Sequence, residues 1–371
     1  MKKRIMTGAT GFVGSHFLAH ALGEGGHTSA LVRAPSEDAA SRRLERALSD
    51  VSFEAEAARS RDACRPVCFD LREPGCGISG AALRELKGAR PNEFWHFAAS
   101  LKYEDRHRDE IFGANVEGTR RALELARELG CEWFVYVSTA YTAATRRGDV
   151  PEALHAPDVP FNNCYEETKS QAEHAVQSFC RTNGLSFSIL RPSIVIGPYS
   201  TKTTGGSTSG LYGFIRELLR ARKPLRGLFR RAELCGDPET PGNLLPVDWF
   251  VEDVARLVSE GLRDGGVYHM TTEHALSVGE ISEVIAEVID IPGFEFVREP
   301  SPSRSPVEVL LERRLEFYGG YLSNGKRFLR SRPFSHRLSR GDVVEYVRRA
   351  VSESASARAP AAAGQALVRT G

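Results

Sequence analysis

A tyrosine and a lysine, Tyr165 and Lys169, stand four residues apart in a stretch with helical spacing. Residues i and i+4 share one face of an α-helix, so the phenol and the ammonium can serve one site. A phenol has an ordinary pKa of about 10, and a nearby cation favours its phenolate form. The pair therefore predicts a proton donor that works near neutral pH, while the lysine can also hold the ribose of a cofactor.

Two hydroxyl residues, Ser138 and Thr139, end a strand-like apolar run that starts at Glu132. Ligands of open parallel sheets bind beyond the carboxyl ends of the strands. A hydroxyl group there can donate a hydrogen bond to a carbonyl oxygen that gains negative charge. Because adjacent side chains of a strand point to opposite sides, we expect one of the two to face a substrate, and the sequence leaves open which.

A glycine-rich segment, Thr7-Gly8-Ala9-Thr10-Gly11-Phe12-Val13-Gly14, separates a predicted strand from a predicted helix. The first glycine of this spacing permits a tight turn, the second lets the backbone approach a pyrophosphate, and the third lets the helix pack closely. The helix N-terminus adds free N–H groups and a partial positive charge. The expected contacts with a dinucleotide are Gly8, Thr10, Gly11, Phe12, Val13 and Gly14.

The end of the second predicted strand distinguishes the two nicotinamide dinucleotides. A carboxylate there binds the 2′-hydroxyl of NAD, whereas an arginine favours the 2′-phosphate of NADP. The strand ends at Arg33, 19 residues after Gly14, and no acid occupies that position. We therefore expect NADP(H) as the cofactor. In the alternative, Arg33 is a plain surface residue and Glu37 or Asp38 reaches back to the ribose.

Short apolar runs alternate with helical patterns over the first 200 residues, which predicts an α/β fold with a Rossmann-type, doubly wound parallel sheet. The residues between 53 and 65 are poor in apolar side chains, and we expect an insertion or a mobile loop there. The expected strands are 4–7, 27–33, 67–70, 93–99, 132–139 and 186–196, and the expected helices are 15–22, 36–48, 80–87, 107–129 and 163–182.

Beyond residue 196 the alternation fades, and the sequence predicts a different organisation. We expect a dinucleotide-binding domain over 1–198, to which segments near 240–260 return, and a smaller, mostly helical substrate-binding region over 199–351. The final stretch, 352–371, is rich in alanine and lacks an apolar period, so we expect a disordered tail. The helical patterns of this half are 211–222, 250–263, 277–289, 306–316 and 340–351.

Composition excludes several classes of protein. A formal net charge of +1 over 371 residues argues against a nucleic-acid binder. No apolar run is long enough for a transmembrane helix. The seven cysteines and the pair His16 and His20 lack the spacing of a metal site, so we expect no metal and the reduced thiols of a cytoplasmic protein.

The near-zero net charge hides an asymmetry along the chain. From Ser301 to the end there are thirteen Lys and Arg against six Asp and Glu, about +7, so the first 300 residues carry about −6. This basic region is either a solvated face or a docking surface for an acidic carrier protein or for CoA phosphates. Its basic residues include Arg313, Arg314, Lys326, Arg327, Arg330 and Arg332.

Together, the glycine-rich segment, Thr139, Tyr165 and Lys169 resemble the extended short-chain dehydrogenase/reductase superfamily. Within it, the segments 137–141, 165–173 and 190–197 are similar to the fatty acyl-CoA reductase and carrier-protein thioester reductase branch. The resemblance implies that Thr139 is the catalytic hydroxyl and that Asn115 braces the site by supporting Lys169. It also implies that the cofactor contacts Asp70, Leu71, Ala98, Ala99, Ser138, Tyr165, Lys169, Pro192, Ser193 and Ile194.

We therefore expect an NADPH-dependent reductase that transfers hydride to a carbonyl or thioester of an acyl-type or natural-product intermediate, bound to CoA or to a carrier protein. Tyr165 would protonate the substrate oxygen. One alternative is an NAD-dependent nucleotide-sugar epimerase or dehydratase, against which Arg33 argues. A remote alternative is a non-catalytic dinucleotide-binding protein. Since members of the superfamily often form dimers through two helices, a homodimer through 107–129 and 163–182 is a further expectation.

Overall fold

The structure, a computed structural model, describes residues 2–51, 63–228, 230–272, 274–332 and 336–356. Its strands in these ranges are β1 (Lys3–Thr7), β2 (His27–Arg33), β3 (Cys64–Phe69), β4 (Glu93–His96), β5 (Trp133–Val137), β6 (Gly148–Val150), β7 (Ser186–Pro192), β8 (Ile194–Ile196), β9 (Ala232–Cys235), β10 (Leu244–Pro246), β11 (Gly266–Met270), β12 (Phe294–Val297) and β13 (Lys326–Phe328).

The α-helices follow the same alternation along the first half of the chain and then dominate the second half. They are α1 (Phe12–Gly23), α2 (Glu37–Ser49), α3 (Gly80–Ala89), α4 (Arg108–Phe112), α5 (Gly118–Glu128), α6 (Cys164–Asn183), α7 (Leu211–Arg226), α8 (Val247–Glu260), α9 (Val278–Ile289), α10 (Pro306–Leu315), α11 (Gly319–Ser323) and α12 (Arg340–Ser356).

Seven strands form one parallel sheet in the spatial order β11-β7-β5-β4-β1-β2-β3. Thr7 at the end of β1 is level with Leu31 of β2 and His96 of β4, so the carboxyl ends of the central strands meet at one edge. α1 and α8 pack in the core on one side, and α5 and α6 pack in a second core. The predicted α/β fold with a doubly wound parallel sheet is confirmed.

The central strands are apolar without alternation because helices cover both faces of the sheet. In β5, the side chains of Phe134, Val135, Tyr136 and Val137 are all buried. Such strands leave polar side chains only where the chain passes out of the sheet. This places Ser138 and Thr139 directly beyond the edge at which ligands bind.

The C-terminal half adds three two-stranded parallel pairs to its helices: β8 with β10, β9 with β12, and β6 with β13. One of these pairs corrects a prediction. The single strand expected over 186–196 is wrong, because the chain leaves the main sheet after Pro192. The N–H of Ser193 donates to the carbonyl of Met270, and the N–H of Ile194 donates to that of Asn243, which starts a new ladder.

Three other expected elements differ from the structure in their limits. The helix expected over 107–129 is divided into α4 and α5 by a π-helical turn at Gly113–Glu117. The last helix continues through Ser356, so residues 352–356 of the expected tail are helical, and 357–371 lie outside the described residues. Most of the expected loop at 53–65 also lies outside them, and its last two residues begin β3.

The basic residues of the C-terminal region are largely matched by acids from the first 300 residues. Lys326 is buried, and Arg313 is exposed. The charge asymmetry along the chain is therefore used inside the molecule, to attach the C-terminal segment to the body. The ion pairs are Arg314–Glu217, Arg327–Asp149, Arg330–Asp253, Arg332–Glu260 and Arg340–Glu287.

Two expected absences concern the same described residues. None of their helices combines the length and the apolar character that crossing a bilayer requires. They also contain no group of three or more His, Cys, Asp or Glu side chains arranged to hold a metal ion.

Candidate functional site

The turn after β1 has a geometry that only glycine tolerates. Gly8 has a φ of +71°, and a Cβ added there would lie 2.7 Å from the backbone nitrogen of Ala98. A Cβ at Gly14 would lie 2.1 Å from the carbonyl oxygen of Gly8, so α1 approaches the turn too closely for any side chain. The N–H of Gly11 donates to the same carbonyl at 2.9 Å. The glycines thus build the tight strand–turn–helix that the spacing predicts.

The residues around this turn fit a dinucleotide. Gly11 precedes α1 without a side-chain cap, and the first turn of the helix contains no acid, so its N–H groups can receive an anion. Thr10, Phe12 and Val13 are partly exposed beside them. On the other side of the edge, the hydroxyls of Ser138 and Ser193 are buried without a hydrogen-bond partner. Such orphaned hydroxyls are the groups that a bound cofactor would satisfy.

A buried chain of hydrogen bonds links the glycine turn to Asn115. Thr7 Oγ1 accepts from the N–H of Ala98 at 3.3 Å and lies 2.7 Å from His96 Nδ1. His96 Nε2 lies 3.1 Å from Thr119 Oγ1, which donates to the carbonyl of Asn115 at 2.6 Å. Each hydroxyl has one proton, so His96 is neutral with its proton on Nε2. Burial lowers the pKa of His96 to about 3, which agrees with that state.

The end of β2 carries a second arginine that sequence reasoning missed. Arg33 is exposed there, and Arg43 on α2 donates to the carbonyl of Arg33 at 2.8 Å. Glu37, which could have reached back to a ribose, instead accepts from the N–H of Cys68 at 3.1 Å. The region where the cofactors differ is therefore lined by guanidinium groups. The pair Arg42-Arg43 in the sequence was the signal for this.

At the end of β3, Asp70 and Leu71 lie where the adenine contact was expected. The carboxylate of Asp70 is held by two hydrogen bonds from Nε of Arg72, at 3.0 and 3.1 Å, and this hydrogen-bonding lowers the pKa of Asp70. The side chain of Leu71 faces Gly118, and its carbonyl accepts from Arg121 at 2.9 Å. Both residues belong to the same edge of the sheet as Arg33 and Ala98.

Tyr165 and Thr139 meet at this edge. Tyr165 lies in the first turn of α6, which Asn163 caps by accepting from the N–H of Glu166. Burial raises the pKa of Tyr165, and a hydrogen bond from Thr139 partly opposes that rise. The Thr139 hydroxyl also accepts from the N–H of Tyr141 at 3.3 Å. The structure thus places Thr139, and not Ser138, against the tyrosine.

Lys169 shares the face of α6 with Tyr165, but its ammonium makes a different contact from the expected one. Its Nζ donates to the carbonyl of Val137 at 2.7 Å and lies 4.2 Å from the ring centroid of Tyr136. Burial lowers the pKa of Lys169 to about 7, and Glu173 opposes this shift. The ammonium is therefore held at the end of β5, between the strand and the tyrosine helix.

Asn115 connects the site to the loop after β4. Its Oδ1 accepts from the N–H of Ser100 at 2.7 Å, and its Nδ2 donates to the carbonyl of Ser100 and to Thr168 Oγ1 at 3.2 and 3.0 Å. The amide lies in the π-helical turn, which moves it out of regular α-helical register. Asn115 therefore joins the loop at Ala98 and Ala99 to α6 through Thr168, the neighbour of Lys169.

A buried ion pair fixes the segment expected beneath the nicotinamide. Glu173 on α6 accepts from Arg191 on β7 at 2.8 and 2.6 Å, and both side chains are within 1% of complete burial. Arg191 also donates to the carbonyl of Ala153 at 2.9 Å. The pair locks the helix of Lys169 to the strand that leads into Pro192–Ile194.

Three further residues beside Tyr165 were not expected from the sequence. Glu166 is buried and accepts from both nitrogens of Asn162, at 3.2 and 2.8 Å. Burial raises the pKa of Glu166 and lowers that of Lys326 to about 8, and each opposes the shift of the other. The charges of Glu166 and Tyr165 raise the pKa of Tyr321. These contacts bring β13 and α11 against the first turn of α6, and no spacing in the sequence indicates them.

Comparison with known proteins adds a family to this geometry. The family model described as "Male sterility protein" (NAD_binding_4) matches residues 6–254. A linear gramicidin synthase from Brevibacillus parabrevis is 26% identical over 309 residues, which are 79% of this chain and 6% of that protein. An isonitrile lipopeptide synthase from Streptomyces coeruleorubidus is 30% identical over 201 residues, which are 53% of this chain and 13% of that protein. The chain thus spans a small part of each of these curated relatives.

Two solved structures share the fold over almost the whole chain. The terminal R domain from the myxalamid PKS-NRPS biosynthetic pathway has a TM-score of 0.72 and 22% identity, and the match covers 95% of this chain and 91% of that one. The reductase (R) domain of a nonribosomal peptide synthetase from Mycobacterium tuberculosis has a TM-score of 0.68 and 18% identity, over 95% and 92% of the two chains.

Proposed function

This chain belongs to the male sterility protein family of extended short-chain dehydrogenase/reductases, and we propose that it is an NADPH-dependent reductase of acyl thioesters held on CoA or on a carrier protein. The observation that carries the proposal is the contact between Thr139 and Tyr165 at the edge where the glycine turn opens. The reductase domain among the solved structures with this fold supports the same activity.

The side chains of the site divide the work on a carbonyl group. Thr139 donates a hydrogen bond to the carbonyl oxygen and stabilises the negative charge that develops on it. Tyr165 transfers its phenolic proton to that oxygen. Lys169 stays at Val137, where a ribose hydroxyl of the cofactor comes within reach of its remaining N–H groups. A thioester reduced once gives a hemithioacetal, which separates into an aldehyde and a thiol.

A nicotinamide dinucleotide bound at the glycine turn would supply the hydride for the carbonyl carbon. Its pyrophosphate would be held by the N–H groups of α1, and its nicotinamide would lie near Ser138 and Ser193, whose hydroxyls have no partner. Arg33 and Arg43 would bind a 2′-phosphate through charge-assisted hydrogen bonds. This arrangement supports NADPH over NADH and disfavours the NAD-dependent nucleotide-sugar epimerase or dehydratase.

The loop at 197–204 covers this site and is held by the last helix. Tyr346 donates to the carbonyl of Gly197 at 3.0 Å, and Lys202 pairs with Asp342 at 3.1 Å. A Cβ at Gly205 would lie 2.9 Å from the ring of Phe12, so the loop closes over the start of α1. We propose that α12 keeps the cofactor site closed from a distance along the chain.

The test is the oxidation of NADPH, followed by its absorbance at 340 nm, with an acyl-CoA as substrate. We expect NADPH to be preferred over NADH and Tyr165→Phe to lower kcat by about 100-fold or more, because the proton donor is lost. A thermal unfolding curve and an NADPH titration of the variant serve as controls for folding and cofactor binding. Full turnover by Tyr165→Phe contradicts the mechanism, and equal use of NADH contradicts the cofactor assignment.

A further inference from the structure

Three arginines converge on one carboxylate at the surface of the C-terminal half. Glu217 on α7 accepts from Arg314 on α10 at 2.9 Å, pairs with Arg220 one turn along its own helix, and lies 3.9 Å from Arg216. The Glu217 side chain is 15% exposed, whereas the three guanidinium groups are 36–48% exposed. One carboxylate cannot neutralise three cations, so the cluster presents a net positive charge on a preorganised base.

An aromatic wall begins beside this cluster and leads to the tyrosine of the site. The rings of Tyr103 and Phe317 stack at 3.7 Å, Phe317 lies 5.4 Å from Tyr321, and Tyr321 lies 4.6 Å from Tyr141. Tyr103, Phe317 and Tyr321 are all partly exposed. The inner end is at the site, because the charge of Tyr165 acts on Tyr321.

The cluster and the wall are joined at their outer ends. The charges of Arg216 and Glu217 act on Tyr103 and on Tyr318, which follows Phe317. Arg216 also donates to the carbonyl of Thr208 at 3.1 Å, which ties its guanidinium to the loop before α7. A cationic group therefore stands at the mouth of an aromatic-lined path that ends at Tyr165.

We propose that Arg216, Arg220 and Arg314 bind the phosphate of a 4′-phosphopantetheine arm and that the arm lies along the aromatic wall. This subsite rests on the proposed thioester reduction, since the arm carries a phosphate at one end and the thioester at the other. Guanidinium groups bind phosphate oxygens through paired, charge-assisted hydrogen bonds. Aromatic rings match the methyl groups and amides between the two ends of the arm.

Binding tests the subsite independently of turnover. Isothermal titration calorimetry of the NADPH-loaded protein with 4′-phosphopantetheine and with pantetheine measures what the phosphate contributes. We expect the phosphorylated compound to bind at least tenfold more tightly, and the double variant Arg216→Gln/Arg314→Gln to lose that preference. The matched control is Arg340→Gln, an equally exposed arginine on α12, which should keep it. Equal binding of the two compounds by the wild-type protein overturns the proposal.

Kinetics then identifies the carrier of the arm. We expect the double variant to raise KM about tenfold for acyl-CoA and for a carrier-protein thioester, with kcat unchanged, and to leave the phosphate-free N-acetylcysteamine thioester unaffected. A rise for acyl-CoA alone assigns the arginines to its nucleotide part and overturns the proposal. If the wild-type protein reduces none of these thioesters but keeps its preference for the phosphorylated arm, the proposed function fails while the phosphate site stands.

Discussion

The sheet and the C-terminal segment place their ion pairs in different surroundings. Between α6 and β7, Glu173 and Arg191 pair in the interior with almost no exposed surface. From Arg327 to Arg340, the arginines that attach the segment to the body of the molecule are mostly exposed, as in the pair Arg327–Asp149. A buried pair is expensive to desolvate, and an exposed one contributes little.

The difference teaches where the structure is built to be rigid. The buried pair stands between Lys169 and the segment Pro192–Ile194, so it keeps the reacting region in one geometry. The C-terminal segment is held by buried apolar anchors, among them Phe328 and Val343, and by exposed charges that match the acids of the earlier chain. The first region depends on single residues, and the second on the sum of many small contributions.

The strongest test of this comparison removes half of the buried pair. Glu173→Gln leaves the guanidinium of Arg191 buried without a counter-charge, so we expect the free energy of unfolding to fall by about 3–5 kcal/mol. Urea denaturation followed by circular dichroism measures the loss. Asp149→Asn, which breaks an exposed pair, is the matched control. A loss below about 1 kcal/mol, the size typical of exposed pairs, contradicts the distinction.

The second test uses the buried lysine of the site. Because burial lowers the pKa of Lys169 to about 7, the folded protein releases its proton at a lower pH than the unfolded chain does. The destabilising cost of burying the charge is therefore complete below pH 7 and decreases as the pH rises from about 7 towards the ordinary lysine pKa. Lys169→Met removes this cost together with the hydrogen bond to Val137.

We accordingly expect the Tm of Lys169→Met minus that of the wild-type protein to be more positive at pH 6 than at pH 9, although the lost hydrogen bond offsets part of the gain. The effect should be smaller than that of Glu173→Gln. Differential scanning calorimetry at the two pH values measures it. A difference that does not change with pH shows that the lysine is not desolvated in the folded protein.

The smallest expected effect comes from the C-terminal segment. Arg327→Gln removes an exposed guanidinium whose Nε lies 2.7 Å from the carboxylate of Asp149, so we expect a loss below about 1 kcal/mol. Raising the salt concentration should reduce the difference further, since salt screens exposed charges. Urea denaturation at two ionic strengths checks both statements. A loss as large as that of Glu173→Gln removes the contrast between the two regions.

Local patterns in the sequence were sufficient for the framework of the site. The glycine turn, the helix of Tyr165 and Lys169, and the strand that ends at Thr139 depend on neighbours within a few residues, and the α/β fold follows from their alternation. The contact between Thr139 and Tyr165 agrees with the roles that the family resemblance implies. Those roles themselves stay predictions until the variants are measured.

Long-range contacts were beyond reach of such patterns. The sequence did not indicate that Arg43 accompanies Arg33, that Asn115 bonds Ser100 and Thr168, or that Lys326 reaches the buried Glu166. A surface arginine and a buried one look alike in the sequence. The basic C-terminal region shows this most clearly, because its excess charge reads as a patch until its acidic partners are placed beside it.

The sequence by itself determined the elements, their order, and which side chains stand at the carboxyl edge of the sheet. These follow from glycine conformation, helix and strand periodicity, and the burial of apolar strands, all of which act between residues close in the chain. Only the tertiary structure decided whether Ser138 or Thr139 meets Tyr165, where the charges of the C-terminal half are neutralised, and that an arginine cluster lies at the end of an aromatic path. Each of those depends on desolvation and on distances between residues far apart in sequence.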